Sequence, residues 1–158
     1  MKKTLKFLLL GLLLVSCASK NKVLEFPLVG ASNTTKLVFE KVELTDTATV
    51  LTVRGFAPEH WIKVSPNIHL VTQDKEYELI GSNGVELGKE LFMPEDGDSC
   101  FTLTFEPLSN TCSEFDFIDV GAKDGWRVYD IALTGKRNVA NPTGLPRELK
   151  HASKEASD

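Results

Sequence analysis

Ser99-Cys100-Phe101-Thr102-Leu103-Thr104-Phe105 decides the fold. Phe101, Leu103 and Phe105 point one way, and Cys100, Thr102 and Thr104 the other, which is the period-two alternation of a half-buried β-strand. Downstream, 114–118 repeats the pattern with Phe115 and Phe117 inward. Gly121 to Gly125 forms a turn, and 126–133 is a last strand, with Arg127, Tyr129, Ile131 and Leu133 on one face and Trp126, Val128 and Asp130 on the other. Upstream, Pro94-Glu95-Asp96-Gly97 stops a short strand within 85–93, and Gly81-Ser82-Asn83-Gly84 is a turn signal. Strands follow at 76–80 and 68–72, joined by the turn Gln73-Asp74-Lys75.

Residues 48–56, rich in Thr49, Val50, Thr52 and Val53, read as a strand, and Thr45-Asp46-Thr47 turns it back on 36–44. In that partner, Leu37 and Phe39 have one parity and Val42 and Leu44 the other, a switch that predicts a buried start or a β-bulge. Seven to nine short strands without an amphipathic helix predict an all-β, immunoglobulin-like antiparallel β-sandwich, in which two one-sided sheets bury their apolar faces on each other. The expected boundaries are a leader at 1–16, a tether at 17–34 carrying one candidate edge strand near Leu24, the sandwich at 35–134, and a disordered tail at 135–158, where apolar content collapses.

The leader joins Lys2 and Lys3 to an apolar run, Phe7 to Val15, too short to span a bilayer. It ends in Leu14-Val15-Ser16-Cys17. This resembles the signal peptide and lipobox of bacterial lipoproteins. The resemblance implies cleavage before Cys17, acylation of its thiol, and a palmitate-bearing membrane anchor. No aspartate follows Cys17, and no acidic cluster does. By the same resemblance the chain is expected at the outer membrane, facing the periplasm. Loss of Lys2, Lys3 and Lys6 would take the net charge from −4 to −7, which disfavours a nucleic-acid partner needing a basic footprint.

Leu91-Phe92-Met93-Pro94-Glu95, Phe101 to Leu108 and Phe115-Asp116-Phe117-Ile118 resemble a β-sandwich module of Bacteroidetes periplasmic proteins. That module often precedes a thioredoxin-like thiol-disulfide oxidoreductase domain. Its motifs are strands and turns, so they imply fold. Here Asp119 stands where the module has Glu, and neither Cys-x-x-Cys nor a second domain follows, so the partner domain's redox activity is not carried over.

Cys100 and Cys112 remain once Cys17 is lipidated. Export favours a disulfide between them on adjacent strands; two free thiols and a redox-active pair are the alternatives. Acidic neighbours Asp98 and Glu114 oppose the lowered thiol pKa that redox work needs. His60-Trp61, in the irregular stretch 57–67, is a candidate ligand-binding surface, unless Trp61 plugs the open edge of the sandwich. His60, His69 and His151 lack zinc-ligand spacing. Glu95, Asp96, Asp98, Asp116, Asp119 and Asp124 could in principle supply calcium oxygens, but no calcium loop is present. Asp46-Thr47-Ala48 resembles a Bacteroidetes O-glycosylation acceptor at Thr47. No catalytic constellation or cofactor motif is visible. The expectation is a lipid-anchored, non-enzymatic accessory or binding module with an envelope protein or glycan partner. Accessory work in thiol-disulfide exchange and glycan binding through Trp61, Trp126 or Tyr77 are the alternatives.

Overall fold

The structure, a computed structural model, describes residues 21–57, 60–95 and 97–134. The leader, Cys17, His151 and the tail 135–158 lie outside these residues.

The described residues form eleven strands: β1 (Lys22–Glu25), β2 (Ala31–Ser32), β3 (Leu37–Leu44), β4 (Thr49–Phe56), β5 (Trp61–Lys63), β6 (Ile68–Val71), β7 (Glu76–Asn83), β8 (Glu90–Phe92), β9 (Asp98–Phe105), β10 (Glu114–Asp119) and β11 (Arg127–Ala132). Nine of them make one antiparallel sheet in the order β1-β3-β4-β9-β7-β6-β10-β11-β2, while β5 and β8 make a separate ribbon. Strand β7 turns the sheet into a sandwich. Its residues 76–78 pair with β6, and residues 79–83, after a bulge at Ile80, pair with β9. One layer is therefore β1-β3-β4-β9 with the end of β7, and the other is the start of β7 with β6-β10-β11-β2. The all-β sandwich expected from the alternation is what the chain forms.

The core lies between the layers. Phe101, Leu103 and Phe105 of β9 are at most 2% exposed. They face Phe115 and Phe117 of β10, whose side chains are fully buried. Phe117 meets Phe39 edge-on at 5.2 Å between ring centroids and Phe105 at 6.3 Å, the T-shaped geometry that the ring quadrupole favours.

Two bulges explain two breaks in alternation. In β3, Phe39 pairs with Val53 and Lys41 with Thr52, which leaves Glu40 as the extra residue. That is why Phe39, Val42 and Leu44 are all buried despite their different parity. In β11, Val128 pairs with Phe117 and Ile131 with Phe115, so Tyr129 and Asp130 together oppose Asp116. Asp130 takes a left-handed φ of 54°. The single alternation expected across 126–133 is thereby broken: Val128 and Ile131 are both buried, although they had been assigned opposite faces.

The candidate edge strand near Leu24 is present as β1, which pairs with β3, and the segment is tied in again where β2 pairs with β11. Residues 26–30 close the open side of the sandwich. The Phe26 N–H donates to the Glu40 carbonyl at 2.8 Å, the Ala132 N–H to the Leu28 carbonyl at 2.8 Å, and the Gly30 N–H to the Tyr129 carbonyl at 2.9 Å.

The registers define two poles. Lys22, Leu44, Thr49, Phe105 and Glu114 lie at the lower end of their strands, and Leu37, Phe56, Asp98 and Asp119 at the upper end. An eight-residue strand separates the poles by about 26 Å. The described chain enters at Lys22 and leaves past Leu133 at the lower pole, where the Lys22 ammonium donates to the Leu133 carbonyl.

Candidate functional site

The upper pole carries the β5–β8 ribbon. Trp61 pairs with Phe92, Ile62 with Leu91 and Lys63 with Glu90. Successive ribbon residues face opposite ways, and Ile62, 2% exposed, takes the inward position. It sits so close to Gly55 that a Cβ there would lie 2.7 Å from its Cδ1. Trp61 is therefore turned outward, 41% exposed, with Phe92 beside it at 69%. The plug expected of Trp61 is supplied by Ile62.

Between the ribbon and the β10–β11 turn lies an open cleft of about 390 Å³, lined by Lys36, Trp61, Lys63, Asp119, Asp124 and Trp126 among others. Trp61 and Trp126, far apart in the chain, line the same cleft. Asp119 is the last residue of β10 and only 7% exposed. Its Oδ1 accepts the Gly121 N–H at 3.1 Å, and its own N–H donates to the Trp126 carbonyl at 2.8 Å. Its other oxygen has no partner among the described residues. Gly125 makes room for it, since a Cβ at that position would stand 2.7 Å from the Asp119 Cβ. Asn33, from the closing segment, locks the turn: its Nδ2 donates to the Gly125 carbonyl at 2.9 Å and its Oδ1 accepts the Arg127 N–H at 2.8 Å. A buried carboxylate with one held and one open oxygen is a preset acceptor for a ligand N–H or O–H.

His60, at a φ of 69°, is exposed beside the ribbon, and its carbonyl accepts the Met93 N–H at 2.7 Å. It does not line the cleft. Tyr77 is 6% exposed near the lower pole, with the Lys75 ammonium 4.4 Å from its ring centroid, and so does not join the two tryptophans. Thr47 lies exposed in the β3–β4 turn, where its N–H donates to Thr45 Oγ1 at 3.3 Å. His69 pairs instead with Glu76, Nδ1 to Oε2 at 2.8 Å. Asp116, weighed as a calcium ligand, is bound into the β11 bulge. No group of three or more His, Cys, Asp or Glu side chains among the described residues could hold a metal ion.

The expected Cys100–Cys112 disulfide is not formed, and neither cysteine is in a disulfide. The expectation placed them on adjacent strands. Strand β9 instead lies between β4 and β7, and β10 between β6 and β11, in the opposite layer. Cys100 pairs in register with Arg54 toward the upper pole, and its Sγ lies 3.6 Å from Glu40 Oε2. Cys112, near the lower pole, donates to the Glu114 carbonyl at 3.0 Å. The Cys100 thiol is pushed above its ordinary pKa, first by burial and then by the Glu40 carboxylate, with Arg54 opposing. Arg54 is held on the same face by Glu40 at 2.5 Å and Asp98 at 3.2 Å.

Sequence reasoning raised Trp61 and Trp126 as glycan-binding candidates and Asp119 and Asp124 as candidate calcium oxygens, without joining the two sets, and did not raise Lys36 or Lys63. The signal that links them is topological: β10 must end beside the ribbon for the two indoles to meet. Set against family models, curated proteins and solved structures, the chain finds no match.

Proposed function

We propose that this chain is a non-enzymatic, lipid-anchored binding module of the bacterial envelope, held through Cys17 at the outer membrane and facing the periplasm, with a saccharide as the ligand of its upper-pole cleft. The observation that carries this reading is that Trp61, Trp126 and the buried Asp119 line one open cleft. An indole offers a flat apolar face to the C–H face of a sugar ring while its edge stays wet. The carboxylate accepts a sugar hydroxyl, and the Lys63 ammonium donates to another. Two lysines and two aspartates of opposite sign around two indoles offer both donors and acceptors to the hydroxyls of a sugar. The two thiols lend no support to thiol-disulfide exchange, since they lie toward opposite ends of the sandwich and Cys100 is biased toward its protonated form.

The test is a titration of the protein with envelope and capsular polysaccharides and their oligosaccharides, read by tryptophan emission and calorimetry. A saturable blue shift is expected, with affinity lowered at least about tenfold, ~1.4 kcal/mol, by Trp61→Ala or Asp119→Asn. Flat titrations across the panel would overturn the reading.

A further inference from the structure

Phe26 and Leu28, on the segment that closes the sandwich, are 67% and 49% exposed, and Val23, on the adjoining edge strand β1, is 56% exposed. Val23 lies on β1 next to Lys22, and Leu28 binds Ala132, so both sit toward the lower pole. Phe26 holds a left-handed φ of 46°, which a bulky side chain rarely adopts. Its N–H is fixed on Glu40. An apolar recess of about 230 Å³, lined by Leu37, Val38, Val128 and Phe26 itself among others, lies alongside, yet the Phe26 ring remains mostly in solvent. The backbone is thus held in an unfavourable conformation that keeps an aromatic ring outward.

We propose that this closing edge is a membrane-docking surface, with Phe26, Leu28 and Val23 entering the interfacial region of the bilayer that holds the anchor. This rests on the reading of Cys17 as the acylated residue. Cys17 precedes Lys22 by five residues, which span at most about 18 Å. An acyl anchor at that point leaves the closing edge within reach of the lipid surface, and these are the first exposed apolar side chains among the described residues. Apolar side chains inserted beside the acyl chains add buried apolar area to the anchor and fix the orientation of the sandwich on the lipid surface.

The test uses the full lipid-modified protein in phosphatidylcholine vesicles whose acyl chains carry bromine, a short-range quencher of tryptophan. Intact mass reads the acylation of Cys17 independently. The Phe26→Trp variant is expected to lose more than half of its added emission. The Ile80→Trp variant, on the exposed bulge of β7 at the folded side of the sandwich, is expected to lose none. An acylated protein with an unquenched Phe26→Trp reporter would overturn the docking alone, and an emission shift that instead follows protein concentration would assign the edge to a second copy. A Cys17 without acyl chains would overturn the anchor reading and the docking with it.

Discussion

The carboxylate of Asp116, 1% exposed, accepts the backbone N–H of Asp130 at 2.8 Å across the β10–β11 bulge. The bulge places Asp130 in a left-handed conformation. Gly30 packs so tightly against it that a Cβ there would stand 2.7 Å from the Asp130 Cβ. An acid in the middle of an aromatic strand is therefore the acceptor for a backbone group that the ladder abandons. Removing it in Asp116→Ala leaves that N–H without this partner and is expected to destabilise the fold by about 1–3 kcal/mol. Asp116→Asn retains an acceptor and is expected to lose less. Urea midpoints followed by tryptophan emission separate the two.

Phe117 and Trp61 should behave as opposites. Phe117 is fully buried between Phe39 and Phe105, so Phe117→Ala is expected to cost about 3–5 kcal/mol. Trp61 sits outward on the ribbon, and Trp61→Ala should change stability by only about 0.5 kcal/mol while abolishing most of the saccharide response. Equal losses of stability from the two changes would contradict the outward placement of Trp61.

Cys100 is predicted to be a slow nucleophile. A thiol held above its ordinary pKa has less thiolate at any given pH, so alkylation at pH 8 should run below that of an unstructured cysteine. Glu40→Gln removes a charge that raises the pKa, so the reaction should speed up. Oxidation of the folded protein should leave no bond between Cys100 and Cys112, which peptide mapping under non-reducing conditions reads directly.

Gly125→Ala tests the cleft through the position of Asp119, by adding a methyl to a residue of the cleft's own lining. The new methyl must displace the Asp119 side chain or the turn. A stability loss of about 1–3 kcal/mol is expected, together with saccharide affinity lowered at temperatures where the variant is fully folded. Unchanged affinity would mean that the position of Asp119 is immaterial to binding.

These contrasts follow how the sequence encodes the molecule. Strand β9 was legible because Phe101, Leu103 and Phe105 alternate with polar neighbours without interruption. The parity switch between Phe39 and Val42 was legible as a bulge, since burying both requires an extra residue. In 126–133 no such clue exists: Asp130 occupies the additional position, and an aspartate there reads as an ordinary solvent-facing residue. Strand β2 is too short, at Ala31–Ser32, to carry a pattern. The cysteine pairing failed because nearness in sequence suggested a hairpin, whereas 106–113 crosses from one layer to the other. The cleft depends on that same long-range topology, so the residues that line it could be suspected one at a time but not assembled.

The polar layout of the chain also has a mechanical reading. If the protein is held through Cys17 and a polymer sits between Trp61 and Trp126, as we propose, tension runs along the strands from one pole to the other. The β1–β3 pairs, Lys22 with Leu44 through Glu25 with Lys41, then carry the load side by side. Their hydrogen bonds lie across that pulling direction, so they would have to slide together instead of opening one after another, a geometry that resists extraction from the proposed anchor.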